Sequence, residues 1–331
     1  MLDTLHIEVL GAGAASAEDF WSIDAGSTPR EALGSAEGLI ARQGKRTVAR
    51  LSFQLVTGMR RLPAACGLIG HYGAVDADAG VGLLKHAAHL LRAKGAVRLL
   101  GPMNGGTWGS YRLTLPDGAC RAPFLMEPWN PADYPEHFLR AGFSVAAEYE
   151  SRIVEAFPVE RARSKQLAER LGRAGVSVAP LQPARMQQEL EALFPLCEEA
   201  FAQNPYYRPI SRLEFITRYS ALQPLIDPEL VRIARGSDGR VLAVVLALPD
   251  HLARAAGSPP RVVLKTLASA PEVRRLGLGA HLADEIHRIA HEKGYRAVIH
   301  ALMHVSNESM RLSARYGSRV FRRYALYERS C

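Results

Sequence analysis

The residues of this chain best suited to hold a phosphate are Arg274-Arg275-Leu276-Gly277-Leu278-Gly279-Ala280, directly after Pro271-Glu272-Val273. Glycines carry no Cβ, so backbone N–H groups can close on an anion, and a helix N-terminus adds its positive dipole end. The flanking sequence supplies that context. Upstream, Arg261–Ser269 is rich in β-branched and apolar residues and reads as a strand that Pro271 ends. Downstream, Leu278, Leu282, Ile286 and Ile289 recur at helical spacing. Arg274 and Arg275 add mobile positive charge beside the turn. A glycine pair alone would be an ordinary tight turn; the same stretch here also carries a Pro-Glu, two arginines and a strand-to-helix junction.

The spacing Arg-x-x-Gly-x-Gly-Ala, after a strand ending in Leu267-Ala268-Ser269, resembles the acyl-CoA pyrophosphate loop of the GCN5-related N-acetyltransferases, the GNAT superfamily. The resemblance implies acetyl-CoA or another acyl-CoA as cosubstrate, with Arg274, Arg275, Leu276, Gly277, Leu278, Gly279 and Ala280 around the pyrophosphate. Strand backbone at Leu267 and Ser269 would meet the pantetheine amides. It extends through a strand at 295–302, a loop at 304–309, a helix to about residue 317 and a strand at 320–327. In that family an Asn in this loop contacts the pantetheine arm, and Asn307 matches it. A Tyr about two turns later protonates the departing thiolate. The usual spacing lands on Ala314, and Tyr316 lies two residues further, about 200° around the helix. Tyr316 is thus the candidate acid, with Tyr324 and Tyr327 as substitutes.

A base must take the amine's proton. His300 and His304 fall on one strand face by period-2 spacing, and His304 is the candidate. His281, His287 and His291 read as surface residues of the following helix, and no metal site is expected.

These groups need a scaffold, and 331 residues suggest two domains. Residues 47–56 and 64–70 read as strands, 71–80 as a loop, the helix after it carries a stripe of Val81, Leu84, Ala88 and Leu91, and 97–100 is a strand. This order matches 261–302 and suggests a duplicated α/β unit. The resemblance accordingly implies two tandem GNAT-like domains, 1–150 and 151–331, each a mixed, largely antiparallel sheet flanked by helices, similar in organisation to the tandem members of the family such as mycothiol synthase. Asp76 and Asp78 stand where the second loop has arginines and would repel a pyrophosphate, so the first domain reads as degenerate for CoA. Residues 164–171 and 185–201 read as helices, and 149–157 as a strand. The Gly-rich stretch at 11–16 lacks a third glycine and reads as a turn.

For the acceptor, the loop after residue 100 combines glycines with Asn104, Thr107, Trp108, Tyr111 and Arg112, and 124–130 repeats the mix. Such loops suit a polar small molecule; equally, Trp108 and Trp129 could anchor packing between domains. By analogy with tandem family members, the segment with Tyr206 and Tyr207 would form the opposite wall.

Composition narrows the classes. Residues 1–150 carry 14 Lys/Arg against 15 Asp/Glu, and 151–331 carry 27 against 18. The excess positive charge of the second half suits anionic coenzyme A; its arginines are not interleaved with aromatics as in a nucleic-acid surface, and Arg319, Arg322 and Arg323 read as solvated strand residues. No apolar run of about 18 residues suggests a membrane span. With acids in the N-terminal segment and four scattered cysteines, the expected compartment is the cytoplasm. The expected activity is transfer of an acetyl or other short acyl group from acyl-CoA to a primary amine of a small molecule. Its rivals are a non-catalytic acyl-CoA-binding sensor and an aminoacyl-tRNA-dependent transferase of related tandem fold. The sequence leaves the oligomeric state open.

Overall fold

A computed structural model describes residues 5–12, 19–23, 31–60, 62, 64–116, 122–157 and 161–331. Most of the turn at 11–16, and Cys120, lie outside these. The chain begins β1 (Leu5–Leu10), β2 (Glu37–Gln43), β3 (Arg46–Val56), β4 (Cys66–Ala74), α1 (Ala77–Ala93), β5 (Arg98–Gly101), β6 (Leu113–Thr114), α2 (Tyr134–Arg140) and β7 (Ser144–Val154). It continues α3 (Arg161–Arg173), β8 (Ser177–Pro180), α4 (Met186–Phe201), α5 (Arg212–Ser220), β9 (Val231–Arg235), β10 (Val241–Pro249), α6 (His251–Ala255), β11 (Arg261–Ser269), α7 (Leu278–Glu292), β12 (Ala297–His304), α8 (Glu308–Ala314) and β13 (Arg319–Ser330).

The apolar stripes read from the sequence are the buried faces. Val81, Leu84, Ala88 and Leu91 of α1, and Leu278, Leu282, Ile286 and Ile289 of α7, are all buried against the sheet. β3–β4–α1–β5 and β10–β11–α7–β12 repeat one pattern: an antiparallel pair, a helix, then a strand parallel to the second. One connection differs from its sequence reading. Residues 71–74 prolong β4 instead of forming a loop, and only Val75 and Asp76 precede α1. β4 is buried along its whole length, so it shows none of the alternation that marks a half-exposed strand.

Among the described residues the strands form one mixed, mostly antiparallel sheet ordered β1-β2-β3-β4-β5-β13-β7-β12-β11-β10-β9-β8, with β6 paired to β13 beside this path. The centre of that order is an exchange. β7, which closes the first half, pairs with β12 of the second; β13, which closes the second half, pairs with β5 of the first. The two exchanged strands run antiparallel from Arg319↔Ile153 to Glu328↔Ser144. Ala325 and Tyr327 of β13 are accordingly part of the apolar core under α1. Residue 151 lies inside β7.

Helix α7 departs from a simple surface helix. It packs on β10, β11 and β12 and also against α3, so more than one of its faces is covered. His281 and His287, read from the sequence as surface residues, are buried in consequence, His287 completely, while His291 is exposed.

Candidate active site

Pro271 ends β11, residues 271–276 make a tight 3-10 turn, and Gly277 adopts a left-handed φ of 76° at the head of α7. That φ is strained for any residue with a Cβ, and this fixes glycine here. Among the described residues no side chain caps α7, which leaves its first N–H groups to an outside acceptor. The contrast with α1 is direct: Asp76 there accepts from Ala79 N and fills the helix terminus with its own carboxylate. A third arginine joins Arg274 and Arg275. Arg170 of α3 donates to Leu276 O at 2.7 Å and stands beside Gly277.

The turn leads into a cleft in the sheet. β11 and β12 pair in parallel only from Arg261↔Ala297 to Leu264↔His300, although β11 runs on to Ser269 and β12 to His304. Beyond that point they no longer hydrogen-bond to each other, and residues 265–267 face residues 301–303 across a cavity of about 480 Å³. Two irregularities open it. β10 meets β11 through a bulge that skips Lys265, and β12 carries a bulge at Leu302, whose φ is 60°. The β12 bulge is pinned on both sides: Leu302 N donates to Ser151 Oγ at 3.0 Å, and Arg112 Nη1 donates to Leu302 O at 3.0 Å.

The expected donor and acceptor residues divide as follows. Leu267 and Asn307 line the cavity; Asn307 starts α8 without capping it through its side chain. Leu267 also lies against Gly279, so the head of α7 is next to the cavity wall. Thr107, Trp108, Tyr111 and Arg112 line the opposite wall, joined by Asn204. The Arg112 guanidinium sits in the corner between the perpendicular Tyr111 and Tyr149 rings, 3.8 and 3.9 Å from their centroids. Trp108 is both wall and anchor: its indole N–H donates to Arg208 O at 3.0 Å, and its ring meets Phe201, Tyr207 and Phe215 edge-on. Other expected residues lie outside the lining. Asn104 donates to Glu31 and accepts from His71 N, Tyr206 donates to Ala146 O, Tyr207 is buried, and Ser269 sits at the far end of β11.

The acid–base candidates are separated. The bulge at Leu302 inserts a residue, so His300 opposes Arg152 whereas His304 opposes Tyr149; the partner strand advances by three for four residues of β12. Alternation is broken, and the two histidines do not share a face. His304 packs edge-on against Tyr149, and its Nδ1 accepts from Ser306 N. His300 lines the cavity but belongs to a buried chain: its Nε2 meets His287 Nε2 at 2.9 Å, its Nδ1 meets Ser313 Oγ at 2.8 Å, and Ser313 donates to Ser318. Burial holds the His300 pKa down at about 4 and keeps His287 well below the usual range, the neighbouring His300 adding to it. Tyr316 stacks on His287 and donates to Asp284 of α7, outside the cavity lining.

Sequence reading missed four charged groups of this cavity, Arg218 and the three that follow. Lys265 has an amine pushed down to about 8, chiefly by burial, with Arg112 adding to the shift and Glu31 opposing it. Glu127 pairs with Arg322 at 2.7 Å, both buried, and accepts from Tyr324; burial nonetheless pushes its carboxyl up. Glu31 accepts from Asn104 Nδ2, Ser110 N and Ser110 Oγ. A lone Lys within an apolar strand gives no local signal of the bulge that turns it inward. Arg322, read as solvated, is in fact fully enclosed.

Comparison with known proteins agrees with this architecture. Residues 188–317 match the Acetyltransferase (GNAT) family model, so this part of the chain is a GNAT domain. A bacterial ceramide synthase from Caulobacter vibrioides is 24% identical over 216 residues, 64% of this chain and 55% of that protein. The chain thus spans about half the length of that relative. Two solved structures share the fold across 99% of this chain. One is a tandem GNAT protein from the clavulanic acid biosynthesis pathway, 14% identical with a TM-score of 0.55 and 98% of its own length covered. The other contains the GCN5-related glucosamine N-acetyltransferase region of a fungal multi-domain β-N-acetylglucosaminidase, 15% identical with a TM-score of 0.58 and 38% covered.

Proposed function

We propose that this protein transfers an acyl group, acetyl in the simplest case, from acyl-CoA to a primary amine of a small molecule by direct transfer. The observation that carries this reading is the adjacency of the head of α7, which no described side chain caps, to the cleft between β11 and β12. The N–H groups of residues 278–280, with Arg274, Arg275 and Arg170, suit a pyrophosphate. The cleft beyond Leu264↔His300 offers strand backbone to a pantetheine arm, and Asn307 lies where it can add a side-chain contact. The amine would enter from the wall made by Thr107, Trp108, Tyr111 and Arg112. A thioester is already activated, so holding a neutral amine against it lowers the barrier by several kcal/mol through proximity, on the order of 7 in well-oriented systems. A cavity of about 480 Å³ fits the thioester end plus a small acceptor.

The test is release of free thiol from acetyl-CoA, followed by a chromogenic disulfide, against a panel of amines. Thiol release that depends on one acceptor class supports transfer. Tight acetyl-CoA binding with no thiol release across the panel would leave a binding protein instead.

A further inference from the structure

Charge in the cavity is unbalanced once its internal pairs are removed. Glu127 is matched by Arg322 at 2.7 Å. What remains facing the space is Lys265, Arg112 and Arg218 against Glu31. Arg112 is fixed by its two tyrosines and by carbonyl acceptors at Tyr111 and Leu302. Lys265 is different: among the described residues it has no hydrogen bond or ion pair, and the accessible part of its side chain faces the cavity. A half-buried ammonium beside a second cation favours an anion that comes to it. The phosphates of coenzyme A are not that anion. Their place is at Arg274, Arg275 and the head of α7, whereas Lys265 stands at the first unpaired position of the cleft, at the thioester end.

We infer that Lys265, backed by Arg112, is the anchor for an anionic group of the acceptor, which is therefore an amine that also bears a carboxylate or a phosphate. This deepens the transfer reading and rests on it. The same positive field favours the acceptor's neutral amine, the nucleophilic form, over its ammonium, and it disfavours polycationic acceptors. The lowered amine pKa of Lys265 is what such a site shows before its anion arrives; a bound anion raises it again.

Calorimetry with matched pairs tests this: O-phosphoethanolamine and β-alanine against ethanolamine and β-alanine amide, each with and without acetyl-CoA present. Tenfold or greater preference for the anionic member, abolished in Lys265→Met and kept in Lys265→Arg, is the expected result. Phosphate and carboxylate arms then show which anion is preferred. Equal affinity across each pair, no binding of any anionic member, or a preference that survives Lys265→Met overturns the proposal. Thermal melting establishes that Lys265→Met folds, and removing a desolvated charge should leave its melting temperature unchanged or higher. Were Lys265 the base, thiol release would fall equally for charged and uncharged amines in Lys265→Met, and that outcome also overturns the anchor. Failure of acetyl-CoA to bind would sink the transfer reading while leaving the anion comparison without acetyl-CoA intact; thiol release with no anion preference would do the reverse.

Discussion

Replacing Gly277 by Asp should close the donor site, and the structure separates two contributions to that loss. The first is backbone strain. Gly277 has φ 76°, and a residue with a Cβ pays about 1–2 kcal/mol there. Its Cβ would meet nothing nearer than 3.5 Å, so no clash adds to the strain. This part falls on stability and is shared by Gly277→Ala. The second is specific to the carboxylate. It would sit at the head of α7, where a side-chain oxygen can take the N–H groups meant for a phosphate, as Asp76 already does on α1. At about 5 Å from a doubly charged pyrophosphate, with an effective dielectric between 40 and 80, repulsion amounts to roughly 2–3 kcal/mol. Acetyl-CoA affinity should therefore fall about 30- to 150-fold further in Gly277→Asp than in Gly277→Ala. Titration calorimetry at moderate salt, with melting temperatures measured in parallel, reads both parts. If the two variants bind acetyl-CoA within twofold of each other, the phosphate is not at this helix terminus.

Three further outcomes follow from the same geometry. Each chain should bind one acetyl-CoA, because in the first half Met103 donates to Ile69 O at 2.7 Å and Asn104 accepts from His71 N at 2.8 Å, filling the gap beside β4 with the chain itself; a calorimetric stoichiometry of two would refute this. Stability should be complete above pH 6.5 and decline as pH falls toward 4, because burial depresses the folded pKa of His300 and His71 to about 4 each while the unfolded chain protonates near 6.5. Each contributes on the order of 3 kcal/mol at most, so His300→Gln should flatten the slope of melting temperature against pH, and an unchanged slope would argue against the buried pair. Tyr316→Phe should lower stability by about 1–3 kcal/mol, since it leaves Asp284 without its hydroxyl donor, and should change kcat less than threefold; a hundredfold drop in kcat with stability intact would instead place this hydroxyl at the reacting thiolate.

How much of this could be read beforehand depends on the range over which each feature is specified. The strand, turn and helix of 261–292 were legible because what defines the junction lies within about twenty residues: a proline to stop the strand, two glycines, two arginines and a helical stripe. The helices α1, α4 and α7 were legible for the same reason. The cavity was not. Lys265 sits in an apolar strand, and only the bulge against β10 and the divergence from β12 turn it into a site. His300 and His304 looked like one face because period two was assumed across Leu302, whose positive φ has no signature in a leucine. Arg322 looked solvated because Glu127, its partner, is 195 residues away in the chain. Strand exchange was equally invisible, since β7 and β13 alternate as they would beside any neighbour.

That exchange explains why the first half matters to a cleft that opens between two strands of the second. The two repeats differ in what occupies the gap after their parallel strands. In the first, residues 101–104 fall back onto β4; Gly70 could not carry a Cβ without meeting Asn104 and Met103 at 2.7 Å. In the second, the gap is open, and what holds it open comes from the first half. Ser151 on the exchanged strand β7 takes the Leu302 N–H and contacts the hydroxyl of Tyr324 on β13, while Arg112 takes the Leu302 carbonyl. With its N–H bound to Ser151 and its carbonyl to Arg112, Leu302 does not continue the parallel ladder with β11. A repeat folding alone would have no Ser151 and no Arg112 at this position. The first half is thus the wedge that makes its counterpart a cleft, and the same Arg112 then lines the space it helps to create.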